Sequence, residues 1–176
     1  MLLNWGFDLV LLMRLAGPLL ILRFPLAGSL LSEFVFDALD VVIWDFSGVL
    51  ASLDYTLWDK SFDVYQITLQ AFIVLTRWTR PIPKRIALGL FAMRIFAFAA
   101  YQFTHVRLLY FIFPNLLVLF FIAYLLCQKF GKAHWFEKPA SLAVILLVLL
   151  ALKMPQEYVL HYLEIPTWKV IKDFLF

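Results

Sequence analysis

Asp37 and Asp40 stand three residues apart, and Asp59 and Asp63 stand four apart further along the chain. On a helix, each spacing puts the two carboxylates on one face. Glu33 extends the first set to i, i+4 and i+7, and Gln66 and Gln70 extend the second over three turns. Hard divalent cations such as Mg²⁺ and Ca²⁺ take carboxylate oxygens as ligands. Asp37, Asp40, Asp59 and Asp63 are therefore candidate metal ligands, and Mg²⁺ or Mn²⁺ is the cofactor if the cluster is a metal site. Two arginines lie inside apolar runs, Arg14 and Arg94, and a further stripe holds Glu157, His161 and Glu164 with Lys153 one turn before it. An ionisable side chain deep in a membrane tends to face the interior of a helix bundle and to pair. Two readings of these stripes stand side by side. One is a divalent-metal or polar-headgroup site opening on one membrane face. The other is a buried network of Arg14, Glu33, Arg94, Glu157 and His161 that fixes helix register. The stripes are short for a proton or ion pathway.

The elements that position these residues follow from composition. The chain has 176 residues, 64% of them hydrophobic and only 15% charged. Soluble domains run at about 45–50% apolar and about 25% charged, so a soluble globule of this composition would expose large apolar patches. A DNA-reading domain, a soluble Rossmann enzyme and a secreted disulfide scaffold are excluded. Cys127 is the one cysteine and has no partner for an internal disulfide. His105, His134 and His161 lack zinc spacing, and neither a serine nucleophile elbow nor a glycine-rich phosphate loop is present.

The expected fold is all-α: a polytopic integral membrane protein forming one transmembrane domain over residues 1–176. Its bundle has about six helices, near 7–22, 27–45, 58–78, 86–104, 108–127 and 139–160. The first helix lacks the basic start and cleavage site of a signal peptide and reads as retained. RWTRPIPKR (77–85) and QKFGKAHWFEKP (128–139) read as loops. Pro155 is expected to kink the last helix, and 167–176 to form a short interfacial helix capped by Thr167.

Six spans put both termini on one face. The opposite face then carries Arg23, Arg77, Arg80, Lys84, Arg85, Lys129, Lys132 and Lys138, against Lys60, Arg107, Lys169 and Lys172 on the terminal face. Loop cations gather on the cytoplasmic side, so both termini and most of the acids are expected outside, in a bacterial inner membrane.

Two resemblances attach to these residues. Asn4, Arg14 and Pro18 in the first helix, Asp37 and Asp40 at the end of the second, and WDKSFD with Asp59 and Asp63 at the start of the third resemble the CDP-alcohol phosphatidyltransferases. Those six-helix membrane enzymes join a headgroup alcohol to a CDP-activated lipid. The resemblance implies divalent metals on the four aspartates and Asp63 as the base that activates the incoming hydroxyl. The two pairs are one residue further apart than in the family. Val41 replaces its glycine after the second aspartate, Trp44-Asp45 replaces its Ala-Arg, and its glycine before the third aspartate is missing. The family works at the cytoplasmic face, opposite to the side that the loop cations assign to these acids. The second resemblance covers WDKSFDVY, RIALGLFAMR, LLYFIFPNL and LKMPQEYVLHYLE, which are similar to segments of uncharacterised polytopic bacterial membrane proteins.

Small size, short loops and aromatic surface suit a non-catalytic accessory or scaffolding subunit of a larger membrane complex. Its expected partners are membrane lipids and other membrane subunits, not nucleic acid. The alternative is a divalent-metal-dependent lipid-headgroup transferase.

Overall fold

The computed structural model describes residues 4–50 and 54–163, the side chain of His161 excepted. Every regular element among them is helical. The expected interfacial helix at 167–176 and Glu164 lie outside the described residues. Packing groups the chain into two compact units, Met1–Ile73 and Val74–Phe176.

The first unit opens with α1 (Trp5–Ala16), a tight turn over Gly17–Leu19 and α2 (Leu20–Arg23). Asn4 caps α1 by accepting from Gly6 N at 3.0 Å, and its Nδ2 donates to Ser47 O at 3.2 Å, which ties the start of α1 to residue 47. Phe24 leaves the helical region, and Pro25 starts α3 (Pro25–Leu31) at a position that needs no N–H. The hairpin is tight enough that a Cβ on Gly28 would meet Ile21 N at 2.5 Å. A wider π-helical turn over Ser32–Phe36 leads into α4 (Asp37–Phe46). α5 (Tyr55–Arg77) begins three residues earlier than the expected 58, because Asp54 Oδ1 accepts from Leu57 N at 3.1 Å and caps the helix there. Val10, Trp44, Val49 and Phe62 form the apolar core of this unit, with Phe7 stacked on Trp44.

The second unit holds α6 (Pro81–Thr104), α7 (Leu108–Ile112), α8 (Leu116–Lys129) and α9 (Pro139–Glu157). Pro81 and Pro83, which read as loop residues, sit in the first turn of α6. A proline lacks only an N–H that goes unbonded there, so the 77–85 loop shrinks to Trp78–Arg80. His105 ends α6 in the left-handed region at φ 54°. The expected continuous helix 108–127 is broken at Phe113–Asn115, around Pro114. α8 is apolar all round and largely buried. Its Phe120, Phe121 and Tyr124 pack on Trp78, and Phe120 and Tyr124 also meet Phe136 from the 133–136 turn. Pro155 lies inside α9, which widens into a π-helical turn over Tyr158–Tyr162.

Among the described residues, four stretches are long and apolar enough to cross a membrane: Trp5–Arg23, Pro81–Thr104, Leu108–Lys129 and Pro139–Leu160. The other two expected spans, 27–45 and 58–78, are helical but carry the acidic stripes.

Candidate functional site

The acidic stripes meet inside the first unit, around Arg14. Its side chain is 2% exposed on α1 and is ringed by aspartates from α4 and α5. Nη1 donates to Asp37 Oδ1 at 2.8 Å. Nε lies 3.5 Å from Asp40 Oδ2, and Nη2 lies 3.8 Å from Asp59 Oδ1 and 3.7 Å from Asp63 Oδ1. The guanidinium also sits 5.3 Å from the centre of the Phe62 ring. Helical periodicity explains the convergence: Asp37 and Asp40 share a face of α4, and Asp59 and Asp63 share a face of α5.

The four acids differ in depth. Asp40 is fully buried and accepts from Tyr55 OH at 3.5 Å. Asp59 and Asp63 are nearly buried, and the Asp37 side chain is 33% exposed, so the cluster opens on its side. One oxygen each from Asp37, Asp59 and Asp63 lie within 4.8 Å of one another. Two oxygens facing across an ion are at most twice the metal–oxygen distance apart, about 4.2 Å for Mg²⁺ and about 5 Å for Ca²⁺. The trio could hold a hard divalent ion only after its carboxylates draw together, by up to about 0.6 Å for Mg²⁺. Of the four expected ligands, Asp40 stands outside the trio, behind Arg14.

Lys60 is a member that the sequence stripes did not include. Its Nζ lies 2.6 Å from Asp59 Oδ2 and 3.4 Å from Asp63 Oδ2. It precedes Asp63 by three residues, a spacing that brings two side chains together on a helix. Four carboxylates thus face two cations, Arg14 and Lys60. With all four ionised, two negative charges are left over in an apolar setting, which is costly. Arg14 Nε and Nη2 and Asp40 Oδ2 are buried and make no hydrogen bond. They meet one another and Asp59 and Asp63 at ion-pair distances of 3.5–3.8 Å instead.

A polar ladder continues from the cluster along α5. Gln66 Nε2 donates to Glu33 Oε2 at 3.4 Å, and Gln70 Nε2 donates to Ser29 Oγ at 3.1 Å. The π-helical turn Ser32–Phe36 contains Glu33 and separates the Ser29 rung from Asp37. Its extra residue per turn resets the register, so that Glu33 meets Gln66 while Asp37 and Asp40 meet Arg14.

The remaining expected network residues lie in the second unit. Arg94, expected to oppose the same acids, donates from Nη1 to Phe113 O at 3.1 Å and sits 4.7 Å from the Tyr110 ring centre. The break at Pro114 frees that carbonyl, and a buried carbonyl needs a donor. Glu157 is buried and pairs with Lys153 at 3.7 Å, while Lys153 donates to Gln156 Oε1 at 2.9 Å. The side chain of His161 is outside the described residues.

No family model, curated protein or solved structure matches the chain.

Proposed function

We propose that the first unit holds a divalent cation, Mg²⁺ or Mn²⁺, on Asp37, Asp59 and Asp63, and that the site transfers a phosphate-linked lipid headgroup. One observation carries this reading: three carboxylate oxygens within 4.8 Å, in a cluster whose carboxylates outnumber its cations. The spacing of the aspartates is similar to that of the CDP-alcohol phosphatidyltransferases. The six-span bundle expected from the sequence belongs to the same proposal, with the polar segments 27–45 and 58–78 as its second and third spans. A bound divalent ion supplies positive charge against the phosphate oxygens. Arg14 holds Asp37 and Asp40 in place from behind. Asp63 accepts the proton of the alcohol as its oxygen bonds to phosphorus, and the nucleoside monophosphate leaves with the bonding pair.

The test is transfer by the purified protein from a CDP-linked lipid to a panel of headgroup alcohols, with and without Mg²⁺. The reading expects metal-dependent product that Asp37→Ala or Asp63→Asn abolishes. Activity unchanged by either substitution overturns it.

A second reading, a non-catalytic accessory subunit, is favoured by the direct 2.8 Å pairing of Arg14 with Asp37 and by the loop cations. Those cations put the 77–85 and 128–139 loops in the cytoplasm and the acids outside, away from CDP-linked substrates. Sidedness separates the two readings. If labelling from outside reaches the 77–85 loop, the acids face the cytoplasm and transfer is supported. If that loop is cytoplasmic, the accessory reading gains, with lipids and other membrane subunits as its partners. Migration alone after isolation from native membranes counts against it.

A further inference from the structure

Three of the apolar stretches meet at one end of the second unit. α6 starts there at Pro81, α8 stops there at Lys129 and α9 starts there at Pro139. Side chains lock that end together. Trp78 packs on Phe121 and Tyr124 of α8, and Phe136 packs on Tyr124 from the turn before α9. Arg80, the residue before α6, pairs with Glu137. The segments that build this end, 77–85 and 128–139, hold seven lysines and arginines and a single acid, Glu137. Arg80 already engages that acid, so the end keeps a large positive excess. Arg85, Lys129, Lys132 and Lys138 are exposed. Two large rings stand out among them. Phe130 is 70% exposed and Trp135 41%, and Lys132 Nζ lies 5.0 Å from the centre of the Trp135 ring.

We propose that this end binds the phosphate headgroups of anionic phospholipids. Arg85, Lys129, Lys132 and Lys138 meet the phosphates, and Phe130 and Trp135 sit between the headgroups and the acyl chains. The inference is independent of the metal reading and rests on the three helices as membrane spans. Depth argues for lipid. Where apolar helices begin and end, the hydrocarbon layer ends too, and the layer outside it holds the phosphates. Aromatic rings collect at that boundary, and lysine and arginine reach from it toward the headgroups. Charge argues for an anionic lipid. Cations clustered just outside a span attract a negative leaflet, each adding about fivefold to the affinity. A soluble acidic partner would use the same charge, but it has no need of exposed rings at the depth of the helix ends.

The test uses the full chain reconstituted in phosphatidylcholine vesicles with a trace of spin-labelled phosphatidylglycerol or spin-labelled phosphatidylcholine. Electron paramagnetic resonance reads the fraction of each probe immobilised at the protein surface. The parent should hold phosphatidylglycerol several-fold more strongly than phosphatidylcholine, and salt at about 1 M should weaken that preference by screening. Combining Arg85→Gln, Lys129→Gln, Lys132→Gln and Lys138→Gln should remove it. Combining Lys129→Arg, Lys132→Arg and Lys138→Arg keeps the charge and should retain it. Equal retention of the two probes by the parent overturns the proposal, as does a preference that survives in the glutamine variant. Polyglutamate that binds a parent lacking any lipid preference assigns the surface to an acidic protein segment instead. Protein that fails to float with the vesicles after an alkaline wash overturns the span reading and this inference with it.

Discussion

Replacing Arg14 with methionine removes the one group that touches all four aspartates. Methionine keeps most of the apolar volume, so the change isolates the charge. Asp37 loses a 2.8 Å hydrogen bond, and Asp40, with no exposed surface, loses its cation and keeps neutral donors, Tyr55 OH at 3.5 Å and the backbone of Val41. Lys60 remains, but it faces Asp59 and Asp63 from the other side. Removing one partner of a buried ion pair costs about 3–5 kcal/mol. With several carboxylates stranded together, the upper end is expected. At about 2–4 °C per kcal/mol for a chain of this size, Tm should fall by roughly 6–20 °C. The assay is thermal unfolding in detergent, read by size-exclusion chromatography of the surviving fold. Arg14→Lys should be intermediate, because a single ammonium cannot span four carboxylates. Combining Arg14→Met with Asp37→Asn and Asp40→Asn should recover at least half of the loss, since the penalty comes from uncompensated charge. Arg14→Met melting within about 2 °C of the parent would refute the argument, as would the triple variant being worse than the single one.

Arg94→Met should lower stability by about 1.5–3 kcal/mol in the same melt, the worth of a hydrogen bond to a charged group, by leaving the Phe113 carbonyl without its donor. A parent-like melt would mean that the α7–α8 break is satisfied otherwise. Gly28→Ala should cost about 1–3 kcal/mol, typical of overpacking, because the new Cβ has backbone rather than a flexible side chain in its way. On a Cys127→Ser background, Arg80→Cys and Lys132→Cys should react with an impermeant thiol reagent from the same side of the membrane, and Asp54→Cys from the other. Labelling of all three from one side would contradict the six-span bundle.

The site was legible in the sequence where helical period alone decides contacts. Asp37 with Asp40, and Asp59 with Asp63, share helix faces whatever surrounds them; a buried arginine needs acceptors, which Arg14 finds in carboxylates and Arg94 in the Phe113 carbonyl. Lys60 is legible from its i,i+3 spacing to Asp63, but a stripe drawn on acids and amides alone omits it. The depth ranking of the acids depends on packing, with Asp40 behind Arg14 and Asp37 at the opening. In the fold, helix ends were misplaced where local chemistry has two uses. Pro81 and Pro83 break a helix interior but suit a first turn, and Asp54 reads as a loop residue until its carboxylate is seen to cap α5. Pro114 was visible, yet the break it makes depends on Arg94 being present to bond the freed carbonyl. The number of spans was the least legible, since 27–45 and 58–78 are helical but too polar for hydropathy to place in a membrane.

The central claim is that Asp37, Asp59 and Asp63 hold a divalent cation, and its most direct test is Mn²⁺ uptake by the purified, metal-free chain. The parent should show saturable binding, and a variant carrying Asp59→Asn and Asp63→Asn, shown by its melt to be folded, should lose it. Binding that is the same in both proteins, or absent from the parent at millimolar Mn²⁺, would contradict the claim and leave the cluster as a structural network around Arg14.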